Sequence, residues 1–168
     1  MRLISSETSS VIILNYNGWK DTLRCLNKIE SVATKPLRTI VVDNCSSDNS
    51  IEKILEYWQA PRQAIVIHES ELQDLTTIPE SDNILLVSSH NGGYAAGNNL
   101  GITLARLVPQ CAAVWILNND TEPDPMSLEY RLKQAQLAKS SGVLPTRASM
   151  LVASFAAPAL LKHRGTSE

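Results

Sequence analysis

The sequence has no block of charge of one sign. Fifteen Lys and Arg residues stand against seventeen Asp and Glu residues, which gives a formal net charge of −2 at pH 7. Proteins that bind nucleic acid through its phosphates usually present a basic face, and this composition does not provide one. We therefore expect no nucleic acid among the partners.

Long apolar runs and paired cysteines are also missing. No stretch reaches eighteen apolar residues, and the amino-terminal MRLISSETSS lacks the apolar centre of a signal peptide. Cys25, Cys45 and Cys111 are widely spaced, with no CxxC pair and no nearby histidine. An odd, dispersed set of thiols is typical of reduced, structural cysteines. These absences predict a cytoplasmic protein without a membrane span.

The sequence does contain a regular alternation of strand and helix patterns. A chain of 168 residues that is 43% hydrophobic can bury one sizeable core, so we expect one domain. Apolar runs at residues 11–14, 39–42, 64–68, 84–87 and 114–117 predict strands, and helical spacing follows the first, second and fourth of them. Strand–loop–helix units in series predict an α/β fold with a mostly parallel sheet flanked by helices.

The chain is organised around residues 114–125, VWILNNDTEPDP. A buried strand ends there in an acidic, amide-rich turn, and ligands of open α/β sheets bind at the carboxyl ends of strands. Polar turns follow the earlier strands as well, and Asn17 and Asp48 are positioned to cap the helices after them. Asp124 and Pro125 predict a further helix to about Lys139.

Beyond residue 140 the pattern weakens. Residues 148–157 are moderately apolar and precede Pro158. We expect a helix or a partly disordered segment here. An ordinary packed C-terminal helix and an interfacial membrane anchor, which would mean peripheral membrane association, are the alternatives.

Four motifs, LNYNG, VVDNCSSDNS, HNGGYAAGNNLG and LNNDTEPD, give the chain a resemblance to a known family. Over residues 10–139 it resembles the nucleotide-sugar-binding half of a family 2 glycosyltransferase, closest to rhamnosyltransferase-like members. The resemblance implies the Rossmann-like GT-A fold with an incomplete C-terminal half. Residues 1–139 would form the nucleotide-sugar-binding half-domain, and residues 140–168 an atypical tail.

The resemblance also implies which residues hold the donor. Tyr16 would pack near the base, while Asp43 and Asn44 would hydrogen-bond base and ribose. Gly97 stands where some relatives carry an arginine, so one cation near the diphosphate would be missing. Turn formation without any ligand is the alternative for Asp43 and for the glycine-rich loop. The full set of implied nucleotide-sugar-binding residues is Asn15, Tyr16, Asn17, Asp43, Asn44, Asn91, Gly93, Tyr94, Asn98 and Asn119.

A divalent metal, Mg²⁺ or Mn²⁺, is implied by the last motif. Asn118, Asn119 and Asp120 resemble a degenerate DxD motif in which Asp120 is the metal ligand. One carboxylate together with phosphate oxygens and water satisfies such an ion. Glu122 and Asp124 would cap a helix or support the site.

The implied function is transfer of a sugar, with inversion and metal assistance, from a nucleotide-diphosphate sugar. The acceptor would be a cell-surface polysaccharide or a lipid-linked glycan, as in cell wall polysaccharide biosynthesis. A general base is expected after the DxD region, yet Glu168 is the only acid in residues 140–168. We therefore assign no catalytic residue and expect a truncated enzyme or one completed by another chain.

Two other functions stay open. A noncatalytic remnant could bind a nucleotide diphosphate without transferring a sugar. A Rossmann dehydrogenase is the third hypothesis, which the first strand–helix turn, LNYNGW, disfavours because it lacks the GxGxxG spacing.

Overall fold

The computed structural model describes residues 8–33, 37–59, 63–78, 81–108, 111–124, 130 and 151–155. The strands are β1 (Thr8–Asn15), β2 (Leu37–Asp43), β3 (Ile65–His68), β4 (Asn83–Val87), β5 (Cys111–Asn118) and β6 (Leu151–Phe155). The helices are α1 (Trp19–Val32), α2 (Ser50–Tyr57) and α3 (Gly93–Arg106), and a 3₁₀ turn covers Glu69–Glu71. In this part of the chain no helix is long and apolar enough to cross a membrane.

The strands form one sheet in the order β3-β4-β2-β1-β5-β6, and every neighbouring pair is parallel. The predicted α/β, Rossmann-like architecture is confirmed, and it is consistent with the GT-A fold. In a parallel sheet all strands run the same way, so the polar turns after β1, β2, β4 and β5 meet at one edge. We call this the C-terminal edge.

Both faces of the sheet are covered, which explains why its central strands are apolar at nearly every position. Odd-numbered residues of β1, such as Val11 and Ile13, pack with α1 and α2, where Trp58 is fully buried. Even-numbered residues such as Ile12 pack with α3 around Leu104. The period of two along each strand thus divides the core into two layers.

Helix α3 lies very close to the sheet through two glycines one turn apart. A Cβ atom at Gly101 would lie 2.7 Å from Cγ2 of Ile12, and one at Gly97 would collide with Cδ1 of Leu14. The side-chain direction at position 97 therefore points into the seam between helix and sheet. The same Cβ would also lie 3.4 Å from Oδ1 of Asn44, at the polar edge of the sheet. The interpretation of Gly97 as a missing diphosphate cation stays a prediction.

The C-terminal segment also differs from expectation. Residues 151–155, expected to be helical or partly disordered, form β6 and pair with β5 from Ala113 opposite Leu151 to Leu117 opposite Phe155. A five-residue apolar run is long enough for a strand but too short to reveal a helical period. The helix expected from Asp124 to about Lys139 lies outside the described residues except for Tyr130, and the domain boundary at residue 139 stays a prediction.

Candidate functional site

The turns at the C-terminal edge are aligned by backbone hydrogen bonds that extend beyond the strands. The N–H of Asn44 donates to the carbonyl of Asn15 (2.8 Å), and the N–H of Ser88 donates to the carbonyl of Asp43 (2.9 Å). These bonds hold the loops after β1, β2 and β4 side by side, as the sequence predicted.

Asp43 ends β2 as a fully buried carboxylate whose two oxygens both accept hydrogen bonds. Oδ1 accepts from Asn15 Nδ2 (2.8 Å) and from the Ser46 hydroxyl (2.6 Å), and Oδ2 accepts from the Ser46 N–H (3.0 Å). Three donors balance the cost of burying a charge. Asp43 and Asn15 thus fix the shape of the loop, and their contact with a nucleoside stays a prediction.

Asn17 joins the first loop to the second. Its backbone is left-handed, with φ of 50°, a conformation that asparagine tolerates better than most residues. Its Oδ1 accepts from the N–H groups of Ser47 (2.8 Å) and Asp48 (3.2 Å). The expectation that Asn17 caps α1 is therefore wrong, because the N-cap is Gly18 and no side chain bonds there. Asp48 is not the N-cap of α2 either, because that position is Asn49 and no side chain bonds there. Its Oδ1 does accept from the N–H of Ser50, the first residue of α2 (3.0 Å), so the part of the expectation that concerns a free helix N–H holds.

Thr22 connects the loops after β1 and β2 to the turn after β5, and sequence reasoning missed it. Its hydroxyl donates to Asn15 Oδ1 (2.7 Å) and accepts from Asn119 Nδ2 (3.3 Å). Asn119 also donates to the carbonyl of Gly18 (3.3 Å). Thr22 is fully buried on the same face of α1 as Cys25. The sequence signal that could have revealed Thr22 is a polar residue on an otherwise apolar helical face.

A second group of amides lies between β2 and α3. Asn44 Nδ2 donates to Asn91 Oδ1 (2.7 Å) and to the carbonyl of Gly93 (3.3 Å), while Asn91 Oδ1 also accepts from the Gly93 N–H (2.9 Å). Asn98 Nδ2 donates to the carbonyl of Tyr94 (2.9 Å). Gly93 has φ of 82°, a conformation that glycine adopts without strain. These bonds fix the start of α3 against the loop after β2.

Two tyrosines are exposed near this edge. Tyr16 follows β1 with 51% of its surface accessible, and Tyr94 lies in the first turn of α3 with 52% accessible. Aromatic rings exposed beside a polar site are suited to stack on a planar ligand. The structure thus leaves both predicted tyrosines accessible.

Asp120 is exposed in the turn after β5, which the N–H of Thr121 closes by donating to the carbonyl of Asn118 (3.0 Å). The side-chain oxygen of Asn118 is buried without a hydrogen-bond partner. Among the described residues no three His, Cys, Asp or Glu side chains are grouped to hold a metal. The exposed carboxylate of Asp120 is of the oxygen type that a hard cation takes when phosphates and water supply its other ligands.

Cys25 lies beneath this turn, and its thiol donates to the carbonyl of Asn118 (3.9 Å). Burial, together with the charges of Asp120 and Glu122, raises the pKa of the Cys25 thiol to about 12. A protonated thiol is neither a metal ligand nor a nucleophile at neutral pH.

We expect the three thiols to react at very different rates. Cys45 is exposed, Cys25 is buried, and burial also raises the pKa of Cys111. Iodoacetamide at pH 8 should modify Cys45 first, with Cys25 reacting only after unfolding, as mass spectrometry of the peptides would reveal. Rapid modification of Cys25 in the native protein would contradict its placement.

A further polar group near the edge was not predicted. Glu69 Oε2 accepts from the hydroxyls of Ser88 (3.0 Å) and Ser89 (2.7 Å) and from the Ser89 N–H (2.8 Å). The hydrogen bonds from Ser89 are the main cause that lowers the pKa of Glu69. Because Glu69 follows β3 and the serines follow β4, this contact anchors the loop that leads to α3.

Comparison with known proteins bears on the first part of the site. Residues 10–77 match the family model for Glycosyl transferase family 2. This family 2 region is less than half of the chain and includes β1, β2 and β3 with the loops of Asn15 and Asp43. The match supports a glycosyltransferase that uses a nucleotide-sugar donor. No curated protein matches the chain.

Proposed function

We propose that the C-terminal edge binds a nucleotide-diphosphate sugar and forms the donor half of a glycosyltransferase. The observation that carries this proposal is the single hydrogen-bonded network that joins the loop of Asp43 to the turn of Asp120. The family 2 region supports nucleoside binding at the loops after β1 and β2. We infer the positions of the diphosphate and the metal from the geometry of the C-terminal edge.

The nucleoside would lie over the loops after β1 and β2. Tyr16 offers an exposed ring for the base, while the loop of Asp43 and Asn44 is held rigid by buried hydrogen bonds. Asn44 and Asn98 each retain a buried side-chain oxygen without a hydrogen-bond partner. Acceptor oxygens of this kind are suited to the hydroxyl and imide groups of a nucleoside. Asn91, Gly93 and Tyr94 would border the sugar.

The diphosphate would lie between the start of α3 and the turn after β5. Backbone N–H groups at the beginning of a helix attract anions. Asp120 would hold Mg²⁺ or Mn²⁺. A bound cation would neutralise the charge that develops on the leaving diphosphate.

For the chemical step we propose displacement with inversion onto a cell-surface polysaccharide or lipid-linked acceptor, with a rhamnosyltransferase-like donor. This step requires a base that removes the proton of the acceptor hydroxyl. Asp43 is unsuited to that role, because both of its oxygens already accept hydrogen bonds. We assign the base to none of the described residues.

Calorimetric titration of the purified chain with UDP, dTDP and GDP, each with and without Mn²⁺, tests the donor site. We expect one nucleotide to bind, and more tightly with Mn²⁺, because Asp120 would hold the ion and the ion would offset the charge of the phosphates. Binding without measurable donor hydrolysis or transfer would favour a noncatalytic nucleotide-binding remnant. A folded chain that binds none of the three would reject the proposed function.

A further inference from the structure

We propose that the Thr22 hydroxyl is a positioning group that couples the loop after β2, which carries Asp43, to the turn after β5, which carries Asp120. This inference rests on the proposed function. Thr22 belongs to α1 and lies below the ligand-facing loops, so it would touch neither donor nor metal. Its effect would pass through the two side chains to which it is hydrogen-bonded.

The hydrogen bonds at Thr22 belong to a series of three in which each side chain donates to the next. Asn119 donates to Thr22, Thr22 donates to Asn15, and Asn15 donates to Asp43, with separations of 3.3, 2.7 and 2.8 Å. Each hydroxyl or amide that donates at one end accepts at the other, and such chains strengthen their members. The chain ends on a buried carboxylate, which accepts without donating.

Only a hydroxyl can fill the position of Thr22 in this chain. The group must donate to Asn15 and accept from Asn119 at the same atom, which a methyl group cannot do. Without it, the Asn15 oxygen would be buried without a donor, and Asn119 would keep only its bond to Gly18. The Thr22 hydroxyl therefore links the hydrogen-bonded group around Asp43 to the turn that carries Asp120, while Ser46 and Gly18 remain as further partners of the two segments.

Thr22→Val preserves the side-chain shape and removes the hydroxyl, whereas Thr22→Ser preserves the hydroxyl. Thr22 is hydrogen-bonded to Asn119, the residue before the proposed metal ligand. We therefore expect Thr22→Val to reduce the Mn²⁺-dependent gain in nucleotide affinity by about tenfold, the lower end of the range for groups that support a metal site without touching the ion. Thr22→Ser should restore that gain to within about threefold, as expected where the hydroxyl itself matters. The measurement is the titration with and without Mn²⁺ for each variant.

A second measurement needs no ligand. The N–H groups of Ser46 and Thr121 bond within the two segments that Thr22 joins. In Thr22→Val both should exchange with deuterium about tenfold faster, while the amides of the central strands keep their protection, as in local opening. The control is Thr39→Val, which alters another buried threonine, at the opposite end of β2. It should leave both exchange rates and the Mn²⁺ dependence unchanged.

Equal effects of Thr22→Val and Thr22→Ser would overturn the inference, since the hydroxyl would then not be the cause. So would unchanged exchange at Ser46 and Thr121 in Thr22→Val. Failure of the unaltered chain to bind any nucleotide would instead reject the proposed function, and with it any role of Thr22 in donor binding. A failure of the inference is thus observed in the Thr22 variants, whereas a failure of the proposed function is observed in the unaltered chain.

Discussion

Replacing Asp120 by alanine is expected to abolish the Mn²⁺-dependent part of nucleotide binding. Asp120 is an exposed carboxylate two residues after the end of β5, and it is the one charged metal ligand that we propose there. Removing the only charged ligand should therefore lower metal-dependent affinity by about 100-fold, the upper end of the range for perturbed metal sites. Calorimetric titration with the preferred nucleotide, with and without Mn²⁺, measures the loss directly.

Glu122→Ala is the matched control. Glu122 is also exposed, two residues away, and its charge reaches the same thiol of Cys25. Glu122→Ala should change the nucleotide affinity little, because we do not propose that Glu122 binds the metal or the nucleotide. Both variants should remain folded, since exposed side chains add little to stability. Unchanged Mn²⁺ dependence in Asp120→Ala would remove Asp120 from the site.

Replacing Trp115 by alanine is expected to lower the free energy of unfolding by about 3–5 kcal/mol, the usual cost of truncating a buried aromatic residue. Trp115 is 8% exposed in β5, opposite Val11 of β1, and belongs to the core layer beneath α1 and α2. Many small domains have a total stability of about 5–15 kcal/mol, so this loss is large. Urea denaturation followed by circular dichroism measures it.

Tyr130→Ala serves as the comparison for Trp115, because Tyr130 is an aromatic residue with 58% of its surface exposed. Its removal should change the stability by no more than about 0.5 kcal/mol, as for most surface substitutions. A change of similar size in Trp115→Ala would show that β5 contributes little to the core.

The strands and their polar ends were predictable because the physical signals are local. Runs such as residues 39–42 and 114–117 are apolar because both faces of the sheet are covered. A short continuous apolar run is therefore enough by itself to predict a buried strand. Asn15 and Asp43 follow such runs directly, and Asp120 is the third residue after one. Parallel strands then place them at one edge, whatever the details of the loops.

The links between these loops were not predictable, because they depend on distant parts of the chain. The hydroxyl of Thr22 meets Asn119, a residue 97 positions away, and no local pattern encodes that contact. Asn17 was expected to bond forward to its own helix but instead accepts from Ser47, 30 positions away. Strand β6 escaped notice for the same reason, since its only described sheet partner is β5.

The strand order has a consequence for how the molecule forms during synthesis. Strand β1 lies inside the sheet, and β2, β3 and β4 all add on one side of it before β5 is made. Until then the other side of β1 is an unpaired, apolar strand edge, the kind of surface that promotes aggregation of nascent chains. Docking of β5 covers that edge and brings Asn119 to Thr22 in the same event. A ribosome-bound chain that ends before β5 should therefore depend on chaperones, and completion of β5 should end that dependence.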